Sequence, residues 1–371
     1  MKNLFYNLFA FFFNVSRILP LKKNRIVLLS PHKGGSHDSL GEMKSYIKSR
    51  GGYEIIEMHS PFIDNSSFAK LLGSIFSAIK FFLSDSRKLA RAKYVFLNDN
   101  FMPMAQLNFS NDSVITQLWH AEGAFKKFGL LSNLSDNVKA RELKAAEKLS
   151  FVTCTSHNLI ETYARAFGVP KEKVIPVGSP RLDYLLGERD KALLRKEFDE
   201  KMPQFKGKKL ILYAPTFRDN PQRDKDIINH IDFDLFTGEL SDDYALLVKL
   251  HPQIHSGNVP KENDVTNFDI ADLTMICDMV ITDYSSVCMD FTLLKKRCIF
   301  YAFDKEEYEA ERSFCFGYDD YVPGPVVTDF ESLLSEIKNP KSTGNDAFEK
   351  FNFDYIDDKN CERVFNAVID S

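Results

Sequence analysis

The 371-residue sequence is poor in the features that most readily give a chemistry away. It has one tryptophan and six cysteines. Those cysteines (Cys154, Cys277, Cys288, Cys298, Cys315 and Cys361) are scattered, with no CxxC pair and no histidine at zinc spacing. Most sit in apolar runs, which reads as reduced core thiols in a cytosolic chain. A basic excess is also absent: 48 Lys and Arg against 52 Asp and Glu leave a net charge of −4. That balance excludes a nucleic-acid partner held by bulk charge, so any anion must be met by local patches. No Walker loop, GxGxxG turn or nucleophile elbow occurs, which sets aside hydrolase, P-loop and dinucleotide-cofactor readings. Low-complexity linkers and internal repeats are missing too.

Long hydrophobic runs are scarce, and the nearest approach to one is the N-terminus, MKNLFYNLFAFFFNVSRILPLKKNR. Asn7, Asn14 and Arg17 interrupt it, whereas a membrane span needs roughly 20 apolar residues. No small-residue cleavage site follows. Lys2, Arg17, Lys22, Lys23 and Arg25 surround the stretch, and no acidic residue precedes Asp38. The pattern predicts an amphipathic helix over residues 1–24 that lies in an anionic membrane surface; the alternative is a helix packed on the protein's own core.

What is present is a foldable composition, 44% hydrophobic, 13% aromatic and 27% charged, on a chain long enough for two domains. NRIVLLS, YEIIEMHS, YVFLND, SVITQLWH and FVTCTS read as strands in the first half, and KLILYAPTFRD, ALLVKLHP, MVITDYSSV and CIFYAF in the second. Helical or polar segments separate them. This alternation predicts an α/β protein with two Rossmann-like parallel-sheet lobes and a cleft between them, the first over 25–185 and the second over 186–371. Between Ser67 and Leu83, Phe68, Leu71, Leu72, Ile75, Phe76, Ile79 and Phe82 form an apolar stripe, read as a core helix, with a second membrane-facing helix as the alternative.

In open parallel sheets ligands bind at the carboxyl ends of strands. Four such ends carry polar residues: WHAEGAFKKFG, YAPTFRD, VKLHP and ITDYSSV. In ITDYSSV a strand runs into Asp283, and Ser285 and Ser286 open a helix, an arrangement suited to a phosphate; the bland reading is an ordinary N-cap. Lys249 and His251 flank Leu250 on one strand, with Pro252 ending it, and so point to one face, where they suit a diphosphate whose leaving group gains charge. Arg218, two residues after Thr216, offers a forked donor for a phosphate or an orienting carboxylate. His120, beside Trp119, is placed to take a proton from an acceptor hydroxyl. Gly123 allows close backbone approach, and Lys126 and Lys127 suit an anionic acceptor. Asp232 and Asp234 form a DxD read as a solvated loop, and no metal or cofactor is required.

These segments, together with SPRLDYL and the long run from ITDYSSVCMDFTLL through DYVPGPVV, resemble the CDP-glycerol glycerophosphotransferase family of teichoic acid synthesis. The resemblance covers roughly Ile115 to Leu333. It implies a GT-B arrangement, peripheral attachment to the cytoplasmic face of the bacterial membrane, and transfer of a polyol phosphate from a CDP-activated donor to a lipid-linked acceptor with release of CMP. By motif position it implies His120 as base, His251 as the residue stabilising the donor diphosphate, and Thr216, Arg218, Lys249, Asp283, Ser285 and Ser286 on the donor side, in the second lobe. Glu122, Gly123, Lys126, Lys127 and Arg181 fall on the acceptor side, in the first. Polymerases of the family tend to read WHGTPLKKLG, whereas WHAEGAFKKFG is more similar to the primases. The expected reaction is therefore addition of glycerol phosphate from CDP-glycerol to an undecaprenyl-diphosphate-linked disaccharide. A polyol-phosphate polymerase, using glycerol or ribitol phosphate, is the alternative. A nucleotide-sugar glycosyltransferase and a catalytically idle membrane scaffold are the readings from other classes.

Overall fold

The computed structural model describes residues 2–31, 37–61, 68–218, 223–224, 227–240, 242–251, 254, 259–339 and 346–370. Pro252 and Ser67 lie outside them, as do the side chains of Lys2, Phe68, Leu71 and Leu72.

The chain forms two compact units. One comprises Met1–Glu122, Phe128–Tyr184 and Asp357–Ser371; the other comprises Gly123–Lys127 and Leu185–Ile356. The expected lobe limits are corrected at two places. Residues 357–371 belong to the first unit, because Cys361, Val364, Phe365 and Val368 of the terminal helix Asn360–Val368 bury their side chains with Ile26, Leu28, Met43 and Phe96. The Asp183 carboxylate starts that helix, accepting from the Asn360 and Cys361 backbone N–H groups at 2.8 Å each. Gly123–Lys127 belong to the second unit, for reasons that emerge with the site.

The first unit is built on a six-stranded sheet of β1 (Lys22–Ser30), β2 (Glu54–His59), β3 (Ala92–Leu97), β4 (Val114–Gln117), β5 (Phe151–Thr153) and β6 (Val174–Ile175), ordered β2-β1-β3-β4-β5-β6. Every pairing is parallel. The second holds β7 (Lys209–Tyr213), β8 (Tyr244–Val248), β9 (Met279–Thr282), β10 (Arg297–Tyr301) and β11 (Val326–Val327), ordered β11-β10-β9-β7-β8 and also wholly parallel. Strands covered on both faces must be apolar throughout, as LILY in β7 and MVIT in β9 are. In each sheet the order of connection reverses once, between β1 and β3 and between β7 and β9, and the crevice at such a reversal is where open α/β sheets bind ligands.

The N-terminal helix Lys2–Ser16 is packed into the first unit, as the second of its two sequence expectations had it, and keeps one apolar face exposed. Phe9 and Phe13 are fully buried, the former 4.5 Å from the Phe81 ring and the latter 4.8 Å from Phe109. On another stripe, Leu4, Leu8, Phe11 and Val15 are exposed, at a spacing of three to four residues that aligns them along one face. The helix Phe68–Lys80, expected in the core, exposes Ile75, Phe76 and Ile79, and Leu83 just beyond it is exposed as well. Arg87, Lys88 and Arg91 follow on the next turns, so the exposed apolar residues run into a basic cluster.

Candidate active site

Three polar segments converge at the reversal of the second sheet. Beyond β9, Asp283 is fully buried; one carboxylate oxygen accepts from the Thr216 backbone N–H at 2.8 Å and from the Tyr284 N–H at 2.5 Å. Its other oxygen accepts from Arg218 at 3.0 Å. The guanidinium of Arg218, itself 2% exposed, donates onward through Nε and Nη2 to Asp304 at 2.8 Å each and through Nη1 to the Thr216 carbonyl at 2.5 Å. Stacked Tyr284 and Tyr308 rings, 3.9 Å apart, each lie 5.0 Å from it. Burial alone would push this cation's pKa down, but the flanking Asp283 and Asp304 carboxylates overcome that and raise it. Burial likewise works against the Asp304 carboxylate, yet its hydrogen bonds from Arg218 hold its pKa below the usual value.

Four of the five guanidinium hydrogens are thereby committed, and Asp283 accepts three hydrogen bonds. Arg218 thus pairs with carboxylates, one of the two kinds of partner expected for it. Lys249 is likewise engaged: β8 ends at Val248, and the Lys249 ammonium donates to the Thr266 and Phe268 carbonyls at 2.9 and 2.6 Å. It therefore does not share a face with His251, whose ring stacks 4.6 Å from Phe217. The Thr216 hydroxyl is buried with no hydrogen-bond partner among the described residues.

A second group of basic side chains lies around Phe217. Its ring carries His251 and also the Arg312 guanidinium, 4.8 Å away. Lys126 joins them. Phe125 is buried against Phe314 and Tyr318, with centroids at 5.7 and 5.8 Å, and Tyr318 in turn donates to the Asp283 carbonyl at 2.9 Å. The Cys315 N–H donates to the Phe125 carbonyl at 3.1 Å, Lys127 donates to Ser313 at 3.3 Å, and Lys126 bridges Phe314 in antiparallel fashion. This aromatic anchoring is what carries Gly123–Lys127 into the second unit. Gly123 has φ +66°, and a Cβ there would strike Met289 of the helix Val287–Leu293, so its close approach is to this helix. The Lys126 ammonium has no ion-pair or hydrogen-bond partner among the described residues; burial pushes it down to about 8, opposed by Asp283 and reinforced by Arg312 and Arg218. Burial lowers His251 as well, and Lys126 adds to the effect. Lys126 thus lies in the second unit, and Lys127 is exposed.

The helix Val287–Leu293 begins nearby. Ser286 occupies its N-cap position without a side-chain capping bond, and Ser285 accepts from the Val287 N–H at 3.4 Å.

In the first unit, Glu122 is buried, accepting from the Ser179 hydroxyl at 2.8 Å and pairing with Arg181. Both residues thus brace the SPRLDYL turn. His120, about half exposed, sits beyond β4 with Nδ1 3.0 Å from the Asn98 carbonyl. A carbonyl only accepts, so Nδ1 carries the proton and Nε2 presents its lone pair, the tautomer a general base requires. Asp99 lies 4.0 Å from Nδ1. Trp119, at φ +62°, holds a left-handed conformation that costs a bulky residue roughly 1–3 kcal/mol and that clusters at functional sites. The Gln117 side chain, accepting from its N–H at 3.0 Å, and the Phe128 and Phe167 rings hold it there. The DxD is also corrected: Asp232 accepts from the Leu235 N–H at 2.8 Å and so starts the helix Phe233–Leu240, which contains Asp234. Among the described residues no cluster of His, Cys, Asp or Glu is arranged to hold a metal.

Two wholly parallel α/β lobes with polar strand ends place the protein in the GT-B class. A search of solved structures agrees: the wall teichoic acid polymerase TagF matches with a TM-score of 0.76 over 99% of this chain and 94% of that one, at 22% identity. The UDP-GlcNAc 2-epimerase of Neisseria meningitidis matches more loosely, with a TM-score of 0.55 over 94% of this chain and all of that one, at 11% identity. The sequence carries the assignment further. The model of the CDP-glycerol:poly(glycerophosphate) glycerophosphotransferase family matches residues 11–370, and the chain belongs to that family. It is 32% identical over 98% of its length to the teichoic acid poly(ribitol-phosphate) polymerase of Bacillus spizizenii, of which it spans 59%. To the ribitol-phosphate primase of the same organism it is 29% identical, over 95% of this chain and 93% of that one. The glycerol-phosphate primase of Bacillus subtilis is 30% identical over 67% of this chain and 66% of its own length.

Arg218→Met leaves Asp283 and Asp304 buried without their counter-charge and should destabilise the second unit by about 3–5 kcal/mol, with Arg218→Lys intermediate. Thermal and urea denaturation check this; an unchanged unfolding midpoint for Arg218→Met would contradict the framework role.

Proposed function

We propose that the protein transfers a polyol phosphate from a CDP-polyol to a hydroxyl of a lipid-linked acceptor, as a primase of teichoic acid synthesis. The observation that carries this reading is the set of groups left uncommitted at the β7/β9 reversal: Lys126 and the open helix start at Ser285 and Ser286, beside His251 and Arg312. Anion-binding groups at a reversal of strand order suit a diphosphate. The acceptor oxygen attacks the polyol-bearing phosphorus, the bond from that phosphorus to the bridging oxygen breaks, and CMP departs with that oxygen. His120 Nε2 takes the acceptor proton, while Lys126, His251, Ser285 and Ser286 meet the charge that grows on the leaving phosphate. Arg218, Asp283 and Lys249 act behind them by fixing the loops.

The motif WHAEGAFKKFG supports a primase using CDP-glycerol. CDP-ribitol is the second reading, favoured because the polymerase and primase relatives that align over nearly the whole chain are both ribitol-phosphate enzymes by name. Incubation with each CDP-polyol and a lipid-diphosphate-linked disaccharide should release CMP and yield a product with one added unit by mass. A ladder of products would instead mark a polymerase, and no turnover with either donor would overturn the reading. His120→Ala should lower the rate by about 10²–10⁴ while leaving donor binding intact.

Lys126 supplies a pH signature. Its ammonium is charged below about 8 and loses its proton as pH rises through that value. Affinity for the CDP-polyol should therefore fall above that pH in the wild type, as calorimetric titration would show. Lys126→Gln should bind weakly at every pH and flatten the profile.

No helix among the described residues is long and apolar enough to cross a membrane. The exposed stripe Leu4, Leu8, Phe11 and Val15, with Ile75, Phe76 and Ile79, supports peripheral attachment to an anionic membrane, on the cytoplasmic face where CDP-activated donors are made. Leu4→Glu with Phe11→Glu should weaken sedimentation with vesicles containing phosphatidylglycerol, with little change in melting temperature because both side chains are exposed. Undiminished binding would overturn the attachment.

A further inference from the structure

Beside His120 the first unit contains a narrow notch that the donor chemistry does not use. It is formed by the residues after β3, the end of β4 and the helices Asp136–Ala146 and Ile160–Phe167. Its volume is about 30 Å³. Since one water needs roughly 10–15 Å³, it admits a group of about two or three heavy atoms rather than a whole ring. Phe101, Met104, Leu149 and Phe167 make an apolar floor.

The polar groups of the notch are few and unequal. Gln117 is spent, donating to the Asp99 carbonyl at 3.3 Å and accepting from Trp119 at 3.0 Å. Glu142 is not: one of its oxygens takes a long 3.4 Å bond from Asn100, and no other partner is found among the described residues. Burial, with the Asp99 charge adding to it, pushes the Glu142 carboxyl up, so it is poised to exchange hydrogen bonds with a neutral hydroxyl or amide. Asp99, next in sequence to the lining residue Asn100, accepts from the Asn100 N–H at 2.7 Å and lies 4.0 Å from His120 Nδ1, so it links the notch to that histidine. At the lining, the Arg141 guanidinium lies 5.0 Å over the Tyr6 ring, which ties the notch to the N-terminal helix and its exposed apolar stripe.

We propose that this notch is the acceptor subsite: it receives a small uncharged substituent, a hydroxymethyl or acetamido group, on the hydroxyl-bearing end of the acceptor, and Glu142 positions that end for His120. The assignment rests on the transfer reaction proposed above. It makes Glu142 a positioning residue and gives specificity to a position outside the sequence motifs. A lipid carried on the exposed stripe of the N-terminal helix would deliver its polar end to this side of the same unit.

The test uses the full chain with Ala145→Leu, which fills the notch from a half-buried helical position and keeps helix propensity, and with Glu142→Gln and Glu142→Ala. The probe is a short-chain lipid-diphosphate disaccharide carrying acetamido groups, with melting temperatures checking that each variant folds. Ala145→Leu and Glu142→Ala should each raise the acceptor KM about tenfold and leave the CDP-polyol KM unmoved, and Glu142→Gln, which keeps the hydrogen bond, should restore most of the loss. An acceptor KM unchanged in folded Ala145→Leu and Glu142→Ala, on an active wild type, overturns the subsite alone. A wild type that neither binds nor turns over any CDP-polyol overturns the transfer reaction and the subsite with it.

Discussion

A guanidinium sealed between two carboxylates organises the second unit. Arg218 is almost wholly removed from water, so its charge is tolerable only because Asp283 and Asp304 are held against it with every geometric requirement met. Those two carboxylates stand at the ends of β9 and β10, and Arg218 stands just beyond β7. One ion cluster therefore fixes three strand ends. The direction in which the chain leaves β9 toward Ser285 and Ser286 is set by it as well. Residues that look catalytic by type are consumed in this scaffold, and Lys249, tied to two carbonyls, belongs with them.

The consequence is a division of labour among charges. Lys126, with no ion-pair partner among the described residues, lies with His251 and Arg312 near Phe217, and the helix start at Ser285 and Ser286 follows two residues after Asp283. Lys126 reaches this place by an unusual route. A five-residue segment, flanked on both sides by the first unit, inserts into the second and is anchored there by Phe125 among aromatic rings. The motif that opens with His120 thus serves both units, contributing a histidine with a fixed tautomer to one and a partly desolvated ammonium to the other. The N-terminal helix follows the same economy, using Phe9 and Phe13 for folding and leaving Leu4 and Phe11 outward.

The alternation of apolar strands and amphipathic helices made the two parallel sheets legible in the sequence, because a strand covered on both faces has no choice but to be apolar, as in LILY and MVIT. The two-residue strand β11 gave no such signal. Strand-end position also picked out Asp283, Arg218 and His120 as residues that matter, but residue type could not separate ligand binders from scaffold. Whether Arg218 meets a phosphate or a carboxylate depends on Asp304, 86 residues away. The same limit hid the fate of GAFKK: local spacing cannot reveal that Phe125 finds its partners at Phe314 and Tyr318. Glu142 was equally invisible, since a lone glutamate on a polar helix looks like a solvated one until burial and Asp99 are known.

The account turns on where the donor's diphosphate lies, and a crystal structure of the protein with a bound CDP-polyol would locate it directly. Phosphate oxygens within about 3 Å of the Lys126 ammonium and of Ser285 or Ser286, with the Arg218, Asp283 and Asp304 cluster undisturbed, are the predicted result. A nucleotide seated elsewhere, or one that draws Arg218 out of its carboxylate pair to bind phosphate, would contradict it.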